Sequence, residues 1–328
     1  EGRFANVPPS RWTRNKATHL ALSDYRIAPP YHAEQANGLM EVAPDFVDSL
    51  CLTRFTDRAI KWIESVAEEA RSTRPLFLYL PLTSPHKPVI PLKQFRGRGS
   101  AGAYGEFMIE TDWHLGRILA TLDREKLTRN TIVIYTSDNG PENTWKERIK
   151  KFNHHSAGPY RGGKRSIYEG GHRVPFFLRW PARVKPGTHW TRTICQTDLL
   201  ATFADILNQP LPEDAAEDSI SFRASWHGGK ARPSTRPPVI HHAANGRFAI
   251  RQGSWKLVME SGKKVEQREL YNLDTDPGEK HNVLLKNRNV EKELFDQLIT
   301  IVTSGSTRSG ATTKNDTPPW ADLVWLPR

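Results

Sequence analysis

"TIVIYTSDNG", residues 131–140, runs apolar through Ile132, Val133, Ile134 and Tyr135 and then stops on Asp138, Asn139 and Gly140. The apolar run reads as a buried strand. Its polar end has two readings: Asn-Gly is a common turn signal, and neighbouring acid and amide oxygens at a strand's carboxyl end make half of a site for a hard cation. Upstream, Tyr104–Asp123 predicts a helix, with Met108, Thr111, Leu115, Ile118 and Leu122 along one face. Before it, "PLFLYLP" (75–81) reads as another buried strand and runs straight into "TSPHKP". Further back, Thr56–Ala70 has Ile60, Ile63, Ala67 and Ala70 at helical spacing behind a Thr56 cap. Downstream come a third buried strand, "VPFFLRWP" (174–181), and a helix, "TDLLATFADIL" (197–207). Strands alternating with helices predict an α/β fold, a mostly parallel sheet sandwiched by helices. Ligands of such sheets sit beyond the carboxyl ends of the strands, which directs His86, Asp138 and Asn139 toward one pocket.

The pattern changes after about residue 210. Linker-like "LPEDAAEDS" and "GGKARPSTRPP" give way to short alternating runs, "PVIHH", "RFAIR", "SWKLVM" and "RELYNL". They predict an antiparallel meander closed by a helix over 290–303. The expected organisation is an irregular segment over 1–45, an α/β core over 46–225, an antiparallel sheet with helix over 236–305 and a tail over 306–328. The Ser/Thr/Gly-rich stretch 304–316 is expected to be disordered.

At 328 residues the chain is long enough for one large domain with a smaller one appended. No run approaches the roughly 18 apolar residues of a membrane span. Residue 1 is Glu and no leader follows it, which reads as a mature form or a fragment. Cys51 and Cys195 build neither a disulfide framework nor a C-x-x-C motif. The net charge of +11 suggests an anionic partner. From Glu142 to Arg173, eight Lys/Arg stand against three Glu, interleaved with Gly, Ser, His and Asn rather than with aromatics that stack on bases. That favours a pocket for a small anion over a nucleic-acid groove, with solvated surface charge as the plain alternative.

Within this stretch, "GPYRGGKRSIYEGGHRVP" (158–175) has glycine pairs on either side of Lys164 and Glu169, so the backbone can turn tightly and approach a ligand. A lysine held there offers a compact positive charge to an oxyanion. With "SPHKP" before it, "SDNG" between, and "TDLLATFADIL" and "ELYNLDTDPGEKHNV" after, the motifs resemble, in order, those of the formylglycine-dependent sulfatases of the alkaline-phosphatase-like superfamily. The resemblance covers about Asp57 to Val283. It implies hydrolysis of a carbohydrate or aryl sulfate ester, with a sulfated small molecule or polysaccharide as partner. It implies Asp138 and Asn139 as ligands of one Ca2+, Lys164 as the sulfate contact and His86 as the proton donor to the leaving oxygen. Those residue types suit the roles: calcium prefers hard oxygens, and an imidazole can hand a proton to a departing alkoxide. Glu169 either meets substrate or braces the loop, and His154 and His155 either touch substrate or lie on a solvated loop. The family's settings are periplasmic, extracellular or lysosome-like.

Two segments only imitate the family. "VPPSR" (7–11) matches the tail of its Cys/Ser-x-Pro-Ser/Ala-Arg motif, but Val7 stands where the formylglycine precursor belongs. "DWHLG" (112–116) echoes its Lys-Trp-His-Leu-Gly segment, with Asp112 in the lysine's place, so His114 reads as an ordinary helix-face residue. The expectation is therefore a sulfatase chain without its nucleophile and with half of its metal ligands, inactive on its own. The rival readings are a non-catalytic module binding sulfated glycans and a phosphodiesterase of the same superfamily.

Overall fold

The computed structural model describes residues 19–21, 39–41, 47–227, 236–260, 267–311 and 323–326. "VPPSR" lies outside them. Where a loop was expected over 1–45, two short strands, β1 (His19–Ala21) and β2 (Leu39–Glu41), pair antiparallel. The chain divides into two units, 1–131 with 146–154, and 132–145 with 155–328. These boundaries cut through the core expected over 46–225.

In the first unit, α1 (Cys51–Ser72) begins five residues before the expected Thr56 cap. A short 3-10 turn, Asp48–Leu50, leads into it, and the Asp48 carboxylate accepts the Ser49 N–H. Thr56 lies inside the helix, buried, its hydroxyl donating to Leu52 O at 2.9 Å. The buried face, Leu52, Thr56, Ala59, Ile63 and Ala67, keeps the three- and four-residue spacing of one helix side. It packs on α2 (Gly102–Arg124), which matches its predicted span within two residues. Of the predicted α2 face only Thr111 and Leu122 are buried; Met108, Leu115 and Ile118 are half-buried.

The α2 face also buries charge. Glu106 accepts the Gly97 N–H and Glu110 the Leu92 N–H, each at 2.8 Å, so these carboxylates pin the 92–97 loop. His114 is fully buried, edge-on to Trp113 and 3.8 Å from Glu110. Residues 75–81 belong to no helix or strand, with Leu76, Leu78 and Leu80 half-buried. Phe77 and Tyr79, however, are 76% and 78% exposed, and the segment forms no strand ladder among the described residues. The expected buried strand is absent there.

In the second unit, β3 (Val133–Thr136) pairs with β4 (Phe176–Arg179) antiparallel, from Val133↔Arg179 to Thr136↔Phe176. Phe177 is 65% exposed, so β4 is less buried than its apolar run suggests. Two short helices follow β3, α3 (Trp145–Phe152), which crosses the division between the units, and α4 (Glu169–His172). The predicted helix at 197–207 appears as α5 (Asp198–Ile206). The buried Asp198 carboxylate accepts the N–H groups of Cys195 and Ile220 and a bidentate guanidinium from Arg236, tying the linker to the helix.

The meander forms as predicted: β5 (Val239–His242), β6 (Phe248–Gln252), β7 (Trp255–Val258) and β8 (Glu269–Asn272) are antiparallel in sequence order. Strand alternation divides the side chains between two faces. The cross-strand row Ile240↔Ile250↔Leu257↔Leu270 faces α6 (Arg288–Ser304), packing on Leu294 and Leu298. Each such buried aliphatic side chain contributes about 1.5–3 kcal/mol of transfer free energy. The opposite face carries Ala249, Val258 and Tyr271 against Ile167 and Tyr168.

The expected disorder after Ser304 is not found over 305–311. Arg308 donates to the carbonyls of Pro212, Ala215 and Ala216, and Thr307 to the Asp218 carboxylate. The linker's free carbonyls and the Arg308 donors satisfy each other, which composition alone does not reveal. Residues 312–316 lie outside the described residues. No helix among the described residues is long and apolar enough to cross a membrane.

Candidate functional site

β3 delivers Ser137, Asp138, Asn139 and Gly140 at its carboxyl end, and the 158–171 loop closes over that turn by backbone contacts. Gly140 N–H donates to Gly171 O at 2.9 Å and Lys164 N–H to Pro141 O at 2.8 Å. The approach leaves no room for side chains: a Cβ on Gly140 would fall 1.8 Å from Gly170 O, and one on Gly163 2.6 Å from Pro141 O. The glycine pairs flanking Lys164 are thus required by packing. Asp138, Asn139 and Lys164 are carried on two backbone segments bonded directly to each other.

Asp138 is exposed and Asn139 half-buried. The Asn139 amide nitrogen donates to Gly140 O at 3.1 Å, which orients the amide and leaves its oxygen as the end that can accept or ligate. The Lys164 ammonium makes no hydrogen bond or ion pair among the described residues. Its neighbour Arg165 is fully committed, in a two-pronged pair with Glu142 at 2.7 and 3.1 Å. That pairing, outweighing partial burial and aided by the Asn143 N–H and by Lys164 through space, lowers the Glu142 carboxyl to about 2.

Glu169 is fully buried, both of its oxygens engaged by side chains, and belongs to a brace beneath the loop. Burial alone would raise its pKa, but His172, Lys256 and Arg251 together hold it well below the carboxylate range. The Lys256 ammonium lies 3.0 Å from one of its oxygens and Arg251 donates to the other at 2.7 Å. Lys256 also lies 2.9 Å from Glu279, whose second oxygen accepts the Glu169 N–H at 2.7 Å and so caps α4. Arg251, Lys256 and Tyr271 form one cross-strand row, with His241 on the same sheet face, so strand alternation assembles the cluster under the loop.

His172 and His241 stack with centroids 3.7 Å apart. Burial lowers both imidazoles, and nearby cations push His241 further down. Glu169, His172 and His241 have ligand-type atoms within 4.8 Å of one another, the spacing of a metal site. Lys256 already supplies the cation there, so a metal ion would have to displace a buried ammonium.

The other expected site residues belong to less constrained surroundings. His86, in the first unit, is exposed, and its Nδ1 lies 2.6 Å from Lys87 O. A carbonyl only accepts, so in this contact Nδ1 carries the proton. His154 is half-buried beside Tyr104 in the first unit, and His155 is exposed in the second. The basic members of the brace, Arg251 and Lys256, and its second acid, Glu279, were not singled out in the sequence. A lysine at an inward position of "SWKLVM" was the available signal.

Two family models match the chain: Sulfatase over residues 18–209, and N-sulphoglucosamine sulphohydrolase, C-terminal, over 162–304. An N-acetylgalactosamine-6-O-sulfatase of Bacteroides thetaiotaomicron is 37% identical over 264 residues, covering 76% of this chain and 50% of that protein. A solved structure from a locus of the same bacterium for the metabolism of multiple glycosaminoglycans is 33% identical, with a TM-score of 0.72, covering 82% of this chain and 59% of that one. The PsFucS1 sulfatase of a Pseudoalteromonas species, 21% identical, shares the fold with a TM-score of 0.66 over 85% of this chain and 59% of its own. The chain thus spans about half to three-fifths of the length of these relatives. The α/β class expected from the alternation of strands and helices is the fold of these solved structures. With a family model spanning residues 18–209 and motifs matching in order on either side of the glycine-clasped turn, the chain belongs to the sulfatase family.

Proposed function

We propose that this chain carries the sulfate-binding groups of a sulfuric ester hydrolase acting on a carbohydrate or aryl sulfate ester. The observation that carries this reading is the Lys164 ammonium, without a partner among the described residues and held on a loop bonded backbone to backbone to the Asp138–Pro141 turn. A tetrahedral sulfate monoester presents oxygens of partial negative charge, and an unpaired ammonium on a rigid loop is a ready partner for them. Cleavage of the ester S–O bond sends an electron pair to the leaving oxygen. The leaving oxygen needs a proton, and we assign it to the imidazolium form of His86, which holds Nδ1–H on Lys87 O and keeps the Nε2 proton to give.

The donor chemistry of Asp138 and Asn139 fits calcium: a carboxylate and an amide oxygen are two of the about six to eight hard oxygens such an ion takes. Bound there, calcium would draw charge from the sulfate oxygens as a Lewis acid. A formylglycine fits no residue present. Val7 has neither thiol nor hydroxyl to oxidise, and Cys51 and Cys195 lack the Pro-x-Arg context. The roles assigned to these 328 residues are therefore binding, orientation and protonation.

N-acetylgalactosamine 6-sulfate, the sugar named for the Bacteroides relative, is the first probe. Titrated calorimetrically into the purified chain, it is expected to bind where the unsulfated sugar does not. Lys164→Ala should weaken it by about tenfold or more, the worth of a hydrogen bond to a charged group. Equal binding of both sugars, or affinity untouched by Lys164→Ala, overturns the reading. The basic stretch over 142–173 favours one alternative, a non-catalytic binder of sulfated glycans. That alternative predicts affinity unaffected by chelator and by Asp138→Ala.

A further inference from the structure

We propose that Arg165 is a positioning residue that keeps Lys164 available to an oxyanion by holding Glu142 out of its reach. This rests on the assignment of Lys164 as the sulfate contact. The clasp creates the problem that Arg165 solves. Lys164 N–H bonds to Pro141 O, and the next residue after Pro141 is an acid, Glu142. Glu142 is therefore the carboxylate that the loop's own geometry brings next to the sulfate lysine. Its charge and that of Lys164 already interact through space.

Left alone, the two side chains would pair, and an incoming sulfate would have to break that pair first. Arg165 pre-empts it by taking both carboxylate oxygens in a planar fork, a geometry that a lysine ammonium cannot match. The Asn143 N–H, 2.9 Å from Glu142 Oε1, turns the carboxylate further toward its own turn. Arg165 adopts a left-handed backbone, with φ of +73°, which non-glycine residues seldom do. The pair with Glu142 offsets this local cost. Released from Arg165, Glu142 would still be a carboxylate with a reference value of about 4.3, so the competitor is charged at neutral pH.

Both side chains lie toward solvent, Arg165 exposed and Glu142 half-buried, so variants at these positions are expected to fold. The test is a double-mutant cycle read as affinity for N-acetylgalactosamine 6-sulfate, with Lys164→Ala as reference. Arg165→Asn is the chosen substitution, because asparagine tolerates the left-handed backbone. It should weaken binding by about three- to fivefold, the strength of a newly formed exposed ion pair. Glu142→Gln alone should change affinity little, because Glu142 is already sequestered. In the Arg165→Asn background it should restore affinity to the parent level.

Two other outcomes refute the proposal. If the pair merely braces the loop, Glu142→Gln weakens binding as much as Arg165→Asn and the double variant recovers nothing. If only net charge matters, Glu142→Gln improves affinity by the same factor in both backgrounds. Should Lys164→Ala leave affinity unchanged, the assignment of Lys164 itself fails, a result separate from either of these.

Discussion

Lys256→Met removes the ammonium that two buried carboxylates share. Lys256, Glu169 and Glu279 are all fully buried, with Nζ 3.0 Å from the one carboxylate and 2.9 Å from the other. Methionine nearly matches the lysine stem in length, so packing is largely kept and the loss is electrostatic. Breaking a buried ion pair by deleting one partner costs about 3–5 kcal/mol. For a unit of this size that corresponds to a fall in Tm on the order of 10 °C. The cost falls mainly on Glu279, because Glu169 keeps Arg251 at 2.7 Å. Burial already raises the Glu279 pKa, so without Lys256 it takes up a proton readily and the variant's deficit should shrink between pH 8 and pH 5. Lys256→Met with Glu279→Gln should recover most of the loss, since the amide oxygen can still cap the Glu169 N–H. Thermal unfolding followed by near-UV circular dichroism is the assay. A Tm change below about 2 °C for the single variant, or a double variant no better than the single, would refute the electrostatic account of the brace.

Gly140→Ala forces a methyl to within 1.8 Å of Gly170 O and should open the clasp, lowering stability by about 1–3 kcal/mol. Binding of N-acetylgalactosamine 6-sulfate should fall with it, and a variant with unchanged urea midpoint and affinity would contradict the packing described. Desolvation holds the half-buried His172 and His241 below the ordinary imidazole value, so the unfolded chain binds their protons first. Their contribution to stability is therefore full above about pH 6.5 and is lost as pH falls below it toward their folded-state values. The urea midpoint should drop between pH 7.5 and 5.5, and His241→Phe, which keeps the stacked ring, should flatten that slope; an unaltered slope counts against the pair as its source.

Where a segment's structure follows from its own periodicity, the sequence was a sound guide. The α2 span, α5, α6 and the four-strand meander all carry local spacing or turn signals strong enough to place them. The failures arise where distant partners decide. The start of α1 depends on a 3-10 turn over Asp48–Leu50 rather than on a cap at Thr56. The apolar run at 75–81 looks like the one at 132–135, yet only the latter finds a ladder partner among the described residues. Arg308 reaches linker carbonyls more than 90 residues away, a contact that the Ser/Thr/Gly-rich composition of the tail conceals. At the candidate site, the glycine pairs were legible because tight turns and close backbone approach demand particular residues. The brace was not, since Glu169 lies 82 residues from Arg251 and 110 from Glu279. Strand parity could have grouped His241, Arg251 and Lys256 on one face once the meander was accepted, but nothing in the parity says what covers that face.

The interlock of Gly140, Gly163, Gly170 and Gly171 limits how this molecule can diversify. Where main chains meet with no space for a methyl, a mutation cannot adjust the fit by degrees; it either preserves the join or breaks it. The joined turn and loop are thus effectively frozen as a unit. Variation has to be accommodated at exposed positions of the loop outside the join, such as Pro159 and Arg161. A library meant to vary this scaffold should randomise those positions and leave the four glycines alone.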